Sequence, residues 1–249
     1  MKSLVIIPTY NEKDNIERMV HKVFSLKGDY HLLIIDDGSP DGTADIVKKL
    51  KDQFSSRLFI IVRQGKQGLG TAYITGFKWA QENNYDFIFE MDADFSHNPD
   101  DLIRLHEACK NGADLAIGSR YIKGVNVVNW PMKRVLMSFF ASMYVRIITR
   151  MTIMDATAGF KCYKRQVLDA MNLDNIHFKG YAFQIEMKFT AWKLGFNIVE
   201  VPIVFTERTE GASKMSSGIF REAMWGVLSM KVKSFFKEYK RVETKSTTL

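Results

Sequence analysis

Two cysteines, Cys109 and Cys162, are all that this 249-residue chain carries, and they form neither a Cys-x-x-Cys pair nor any metal-ligand spacing. A cysteine metal centre is thereby excluded; the usage suits a reducing compartment, with both thiols expected as small core residues. No cleavable leader is evident, because the N-terminus enters a strand pattern at once with Ser3-Leu4-Val5-Ile6-Ile7-Pro8. Internal repeats and low-complexity tracts are absent. So is an apolar run long enough to span a membrane: in the most apolar helical stretch, 131–150, only 11 residues separate Arg134 from Arg146, whereas a span needs about 20. Helix-turn-helix, zinc-finger and ribonucleoprotein motifs are missing too. Among the anionic partners that a net charge of +7 and a pI near 9.2 favour, nucleic acid is therefore the weakest, behind anionic lipid and phosphorylated small molecules. With 46% hydrophobic and 25% charged residues, neither disorder nor a polytopic membrane protein is indicated.

What is present is a repeated strand-then-helix plan. Leu4-Val5-Ile6-Ile7 ends at Pro8-Thr9-Tyr10-Asn11-Glu12, and Ile16, Met19, Val20 and Val23 follow at helical spacing. Leu32-Leu33-Ile34-Ile35 ends at Asp36-Asp37-Gly38-Ser39, before a helix marked by Ile46, Val47 and Leu50. A third strand, Leu58-Phe59-Ile60-Ile61-Val62, leads through Gly65 to Gly70 into a helix carrying Ala72, Gly76, Phe77 and Ala80. Phe87-Ile88-Phe89 precedes Asp92-Ala93-Asp94, and Ala113 to Ile117 ends at Gly118-Ser119-Arg120-Tyr121. Such alternation predicts a mostly parallel α/β sheet with right-handed crossovers, whose ligand sits at the carboxyl ends of the strands. The polar clusters at 8–12, 36–43, 92–96 and 118–121 all fall at that edge.

Asp92-Ala93-Asp94 organises the chain. If strand geometry persisted through it, both carboxylates would project to one side, where a divalent cation would serve as their counter-charge and Ser96 would add a neutral oxygen. Turn formation and capping before the Pro99-marked helix is the competing reading. The second half is less regular. Pro131 starts an apolar helix along which Arg134, Ser138, Ser142, Arg146 and Arg150 form a slowly rotating polar stripe; it reads either as a core helix or as an in-plane interfacial one. Ala156 to Tyr163 reads as a strand or turn, Gly180 opens a helix, and Ile198 to Ile203 closes the sheet. A polar, Gly- and Ser-rich stretch at 206–218 carries Arg208, Ser213 and Lys214, either as a lid over phosphates or as a solvated loop. A last helix, expected over 219–241, presents Trp225, Phe235 and Phe236 beside Lys233, Lys237, Lys240 and Arg241, and 243–249 reads as a frayed tail. Residues 1–217 are thus expected as the catalytic domain, and 218–249 as a basic amphipathic extension.

In order, Pro8-Thr9-Tyr10-Asn11-Glu12, Asp36-Asp37-Gly38-Ser39, Asp92-Ala93-Asp94 and Gly118-Ser119-Arg120-Tyr121 resemble inverting family 2 glycosyltransferases of the nucleotide-diphosphosugar transferase (GT-A) fold. More narrowly, Gly68-Leu69-Gly70-Thr71-Ala72, Met91 to His97, Thr157-Ala158-Gly159-Phe160, Gly180 to Glu186 and Arg208-x-x-Gly211-x-Ser213-Lys214 resemble dolichyl-phosphate (polyprenyl-phosphate) mannose synthases. The resemblance runs from residue 3 to about 215.

The resemblance implies a transferase that moves mannose from GDP-mannose to a polyprenyl (dolichyl-type) monophosphate with inversion, using Mg2+ or Mn2+. It would work as a peripheral protein at the cytoplasmic face of a membrane. Pro8, Tyr10, Glu12, Ile35 and Asp37 would hold the nucleoside; Asp92, Ala93 and Asp94 would border the sugar and diphosphate. Asp94 and Ser96, with Asp92, would face the metal; members often carry Gln in place of Ser96, so this ligand departs from the pattern and could act through water. Arg208 and Lys214 would clamp the departing diphosphate, while Arg120, Arg134 and Ser213 would receive the acceptor phosphate. The implied catalytic set is Asp94, Arg120, Arg134, Arg208 and Lys214, with Arg120 also bordering the nucleotide sugar. The Gln-x-x-Arg-Trp motif of relatives that glycosylate hydroxyl groups is absent, which fits a self-activated phosphate nucleophile, although Glu186 could serve as a base. A hydrogen-bonded role fits His97 better than ligation. The alternatives are another nucleotide sugar such as UDP-glucose with the same lipid, a metal-binding receiver-like signalling module, and an inactive lipid- or nucleotide-binding relative.

Overall fold

A seven-stranded sheet with helices on both faces carries the chain. The computed structural model describes residues 1–207, 217–236 and 238–241, the side chains of 181 and 217–223 apart. Most of the expected polar loop, with Arg208, Ser213 and Lys214, lies outside the described residues, as does the expected tail. The elements run β1 (Ser3–Thr9), α1 (Lys13–Phe24), β2 (Tyr30–Asp36), α2 (Thr43–Gln53), β3 (Leu58–Val62), α3 (Leu69–Glu82), β4 (Phe87–Glu90), α4 (Asp101–Lys110), β5 (Leu115–Ser119), β6 (Val127–Val128), α5 (Met132–Thr149), β7 (Lys161–Lys164), α6 (Arg165–Asp169), α7 (Tyr181–Lys193), β8 (Ile198–Pro202), β9 (Phe205–Thr206) and α8 (Ser217–Phe236). Strand order is β3-β2-β1-β4-β7-β5-β8, all parallel except β7.

The inward runs read from the sequence are the strands of the sheet's centre: Leu4 to Ile7 and Leu32 to Ile35 are fully buried, as expected where helices cover both faces. One feature was not legible. β7 inserts antiparallel between β4 and β5, so these two strands, neighbours in the strand-helix plan, do not touch. Its register pairs Glu90 with Lys161, and their side chains form a fully buried ion pair at 2.9 Å. Removing either partner would strand a charge in the core, so this pair holds the register against a one-residue slip.

Strand geometry does not persist through the paired aspartates. β4 ends at Glu90, Met91 makes a last contact by donating its N–H to the Ile6 carbonyl (3.2 Å), and Phe95 takes a left-handed backbone with φ +59°. The alternation argument for Asp92 and Asp94 therefore fails, and a strained turn presents them instead.

The end of α8 also differs from the expectation of 241. The helix stops at Phe236, and Arg241 donates to the carbonyls of Leu194 and Gly195 at the C-terminus of α7 while lying 4.1 Å from the Phe196 ring. A cation at the negative end of a helix is favourably placed. No helix among the described residues is long and apolar enough to cross a membrane.

α5 (Met132–Thr149) covers most of the stretch read at 131–150. Pro131 caps it, and Arg150 ends it in a left-handed conformation. Its polar side turns inward: Ser142 and Thr149 are buried, whereas Phe140 is 53% and Ile147 67% exposed. α5 thus joins the core through Val145, with Tyr144 and Ile148 packed beside it, and leaves its other side exposed. It packs on α8, where the Tyr144 hydroxyl donates to the Met224 carbonyl (3.0 Å). α8 buries Val227 and Met230 and likewise leaves large apolar groups outside, Trp225 at 70% and Phe236 at 88% exposed.

Candidate active site

At the carboxyl edge of the sheet, short loops fix the carboxylates. Asp36 is buried and accepts from the Thr9 hydroxyl (2.9 Å) and from the Ser39 N–H (2.9 Å) and hydroxyl (2.6 Å), which locks the loop after β2. Beside it, Asp37 is paired with Arg63 and accepts the Gln67 N–H at 3.2 Å. Arg63 also donates to the Thr71 hydroxyl (2.9 Å), tying the loops after β2 and β3 to the start of α3. Tyr10 lies half-buried under Lys66, 5.4 Å from ammonium to ring. The half-buried Glu12 accepts from the Asn15 side chain. Pro8 is half-buried at the end of β1; the Ile35 and Ala93 side chains lie in the core.

Asp94 is buried, and one of its oxygens accepts both the N–H (3.1 Å) and the hydroxyl of Ser96. Ser96 thus props the carboxylate as well as offering oxygen lone pairs. The positive φ of Phe95 makes that geometry possible, and the Arg18 guanidinium lies 5.2 Å from the Phe95 ring. The Asp92 side chain is 40% exposed, and its N–H donates to His97 Nδ1 at 3.3 Å. His97 stacks on Phe160 and meets Phe205 edge-on. Burial pushes its pKa down to about 4, against the opposing pull of Asp94, so the ring is neutral with its proton on Nε2. The hydrogen bond expected of His97 is present.

Among the described residues no three His, Cys, Asp or Glu side chains gather into a metal-holding group. Asp92 and Asp94 alone supply hard oxygen donors, with the Ser96 hydroxyl beside them. That set fits Mg2+ or Mn2+, which need only one or two carboxylates when phosphate and water complete the shell.

Arg120 and Arg134, expected to receive the acceptor phosphate, stand in contrasting settings. Arg120 is buried in a two-pronged pair with Asp155 (2.7 and 2.7 Å) and donates to the Thr157 hydroxyl at 2.8 Å. Its own N–H also reaches Asp155 (3.0 Å), and Glu200 accepts the N–H groups of Met154 and Asp155. Burial alone would raise the Asp155 pKa; the charge and hydrogen bonds of Arg120, with Lys188 behind, hold it below its ordinary value. Arg134 is half-buried, with both Glu207 oxygens 2.5 Å away. A small parallel pair, β6–β9, brings Phe205 and Glu207 to this point. Trp130 lies between the arginines, 4.2 Å from Arg134 and 5.5 Å from Arg120.

These groups share one cleft. Asp92, Arg120, Arg134 and Gln184 line a cavity of about 160 Å³ whose other walls are largely apolar, including Met137, Ala141 and Val145 of α5 and Met224 and Val227 of α8. Beneath its floor runs a buried polar cluster: Glu90 accepts from Tyr163 (2.8 Å), Lys161 (2.9 Å) and Gln184 (2.7 Å), and Lys161 also donates to Gln184. Lys188 donates to the Ala158 carbonyl, and burial, reinforced by Lys161, pushes its amine well below the usual lysine range.

Glu186 faces elsewhere. It lines a separate pocket behind α8 with His177, Trp225 and Tyr239, and accepts the N–H groups of His177 (2.9 Å) and Phe178 (3.0 Å). It holds the approach to α7; Gln184 and Ile185, two and one residues earlier, line the cleft with Arg120 and Arg134. Sequence reasoning did not find Arg63, Glu90, Trp130, Asp155, Lys161, Lys188 or Glu207. The available signal was charge embedded in apolar runs, as in Phe87-Ile88-Phe89-Glu90 and Met154-Asp155-Ala156, because a buried charge needs a partner.

Residues 4–171 match the profile of glycosyl transferase family 2. The chain is 46% identical over 231 residues to a polyprenol monophosphomannose synthase of Mycolicibacterium smegmatis, covering 91% of this chain and 87% of that protein. It is 44% identical over 232 residues to an undecaprenyl-phosphate mannosyltransferase of Micrococcus luteus, covering 91% and 95%. Among solved structures it is similar to glucosyl-3-phosphoglycerate synthase of Mycobacterium tuberculosis in complex with Mn2+, uridine diphosphate and phosphoglyceric acid. That match has a TM-score of 0.69 at 16% identity and covers 92% of this chain and 78% of that one. At such identity the likeness is one of fold.

Proposed function

The chain belongs to glycosyl transferase family 2, and from that premise we propose that it transfers mannose from GDP-mannose to a polyprenyl monophosphate with inversion at the sugar carbon. One observation carries the reading: Asp92 of the paired aspartates, both arginines and an apolar wall line the same cleft. That cleft offers a nucleotide sugar, a phosphate and a prenyl chain one meeting place. Membership of the family removes the receiver-module alternative. The named activities of the two mannosyl-transferring relatives favour mannose and a prenyl phosphate.

In this reading Pro8, Tyr10, Glu12, Ile35 and Asp37 border the nucleoside, with Ile35 contributing through its backbone because its side chain is buried. Asp92, Ala93 and Asp94 border the diphosphate. Mg2+ or Mn2+, held by Asp94 with Asp92 and Ser96, would supply positive charge where the leaving diphosphate gains negative charge. Arg208 and Lys214 would add cations to the same group. A phosphate monoester has its second pKa near 6, so the acceptor arrives largely as a dianion at neutral pH. Arg120 and Arg134, with Ser213, orient it; guanidinium forks suit that task. One of its oxygens forms the new bond to the sugar carbon as the bond to the diphosphate breaks. No proton needs to be removed from this nucleophile, so Glu186 is not required as a base.

α5 and α8 would rest on a lipid surface at the cytoplasmic side, with their outward Phe, Ile and Trp side chains in the interface. The activity test is incubation with GDP-mannose or UDP-glucose and a polyprenyl phosphate, with metal or chelator. A chelator-sensitive mannolipid is expected, and no lipid-linked sugar from either donor would sink the reading. Cosedimentation with anionic liposomes tests the surface, and a protein that stays in the supernatant would rule it out.

A further inference from the structure

Trp130 is where the two acceptor-side arginines meet. Its ring centre lies 4.2 Å from the Arg134 guanidinium carbon and 5.5 Å from that of Arg120, and Phe205 closes another side edge-on at 5.2 Å. The ring lines the cleft that holds both guanidiniums. Two cations drawn to one spot repel each other, and each is anchored by a different carboxylate, Asp155 for Arg120 and Glu207 for Arg134. Those carboxylates sit on separate segments, Asp155 before β7 and Glu207 just after β9. The indole contacts both guanidiniums, with Tyr121 and Phe205 also facing Arg120, and the negative face of an aromatic ring attracts each cation, most strongly for tryptophan. Trp130 also precedes Pro131, the cap of α5, so the ring is fixed to the start of the helix that carries Arg134.

We propose that Trp130 is a positioning residue which sets Arg120 and Arg134 as one two-pronged receptor for the acceptor's phosphate dianion. The inference rests on assigning this cleft to the acceptor phosphate, and the test separates the two. Initial rates would be measured with GDP-mannose and a short, water-soluble prenyl monophosphate for Trp130→Leu, Trp130→Phe, Arg134→Ala and the Leu/Ala double variant. Trp130→Leu should raise the acceptor KM about tenfold, with the donor KM within about twofold, since desolvated cation–π contacts have that strength. Trp130→Phe should recover much of the loss because a ring face is restored. In the Arg134→Ala background the Leu change should cost clearly less, because part of its effect passes through Arg134.

A tenfold effect of Arg134→Ala beside an unchanged Trp130→Leu would overturn the positioning role and leave the acceptor assignment standing. An Arg134→Ala variant with unaltered acceptor KM would remove the assignment and the inference together. Equal rises in donor and acceptor KM, or a Phe variant no better than Leu, would mark Trp130 as merely structural. Should the Leu variant fail to fold, the Phe variant decides alone: a rise of about two- to fivefold in acceptor KM only supports the role, and no rise refutes it.

Discussion

Two helices of this molecule are built on opposite plans. α1, following β1, buries Ile16, Met19, Val20 and Val23 and turns its charges to water. α5, over the acceptor cleft, turns Arg134, Ser138 and Ser142 toward the protein and leaves Leu136, Phe140 and Ile147 outside. The first helix is stabilised by the core it covers. The second has a mixed inner side, Arg134 and Ser138 lining the cleft together with Met137, Ala141 and Val145, and an outer side of exposed apolar groups. Hydrophobic burial explains α1; it does not explain the exposed Leu136, Phe140 and Ile147 of α5.

Substitutions on the two sides should therefore separate chemistry, folding and surface binding. The largest effect is expected on the nucleotide side, where Asp94→Ala should lower kcat on the order of 10²- to 10³-fold while liposome binding is unchanged; a loss below tenfold would remove Asp94 from the catalytic set. Behind it, Ile16→Ala should cost about 2–5 kcal/mol of folding stability, read by urea denaturation. On the other side, Arg134→Ala should raise the acceptor KM about 10- to 100-fold through the loss of charge-assisted hydrogen bonds. Ile147→Glu should leave urea stability within about 0.5 kcal/mol, as for other surface changes, and still reduce cosedimentation with anionic liposomes. Unaltered cosedimentation there would break the contrast between the helices.

Glu186→Gln should be the mildest, with a rate within a few-fold of wild type, because Glu186 binds two backbone N–H groups outside the cleft. A loss matching Arg134→Ala would restore it as a base.

A pH experiment probes the nucleotide-side core. Burial, with Lys110 and the N-terminal amine adding to it, lowers the pKa of His106 to about 4. The unfolded chain takes up this proton first, near 6.5, so the stabilisation is complete above that pH and is lost as pH falls from about 6.5 toward 4. His106→Phe should flatten part of the fall in Tm across that window, and an identical slope would discard the idea.

Much of the site's location was legible because a parallel sheet gathers its strand ends at one edge, and polar loops mark those ends in the sequence. The shape of that site was less so. Asp94 depends on a left-handed Phe95, a residue type that rarely adopts this backbone, so periodicity suggested a strand that is not there. Arg120 was found by its motif, while Asp155 lies 35 residues away on a loop whose position the insertion of β7 decides.

By itself, the sequence determined the alternation of strands and helices, the edge where the ligand must sit, and the two paired acidic residues there, because all three follow from local periodicity and turn chemistry. Tertiary structure alone decided that α5 is turned polar side in, that Glu186 faces away from the cleft, and that Trp130 lies between two arginines. The physical reason is that burial, ion pairing and ring contacts are set by what packs against a residue, and those neighbours come from distant parts of the chain.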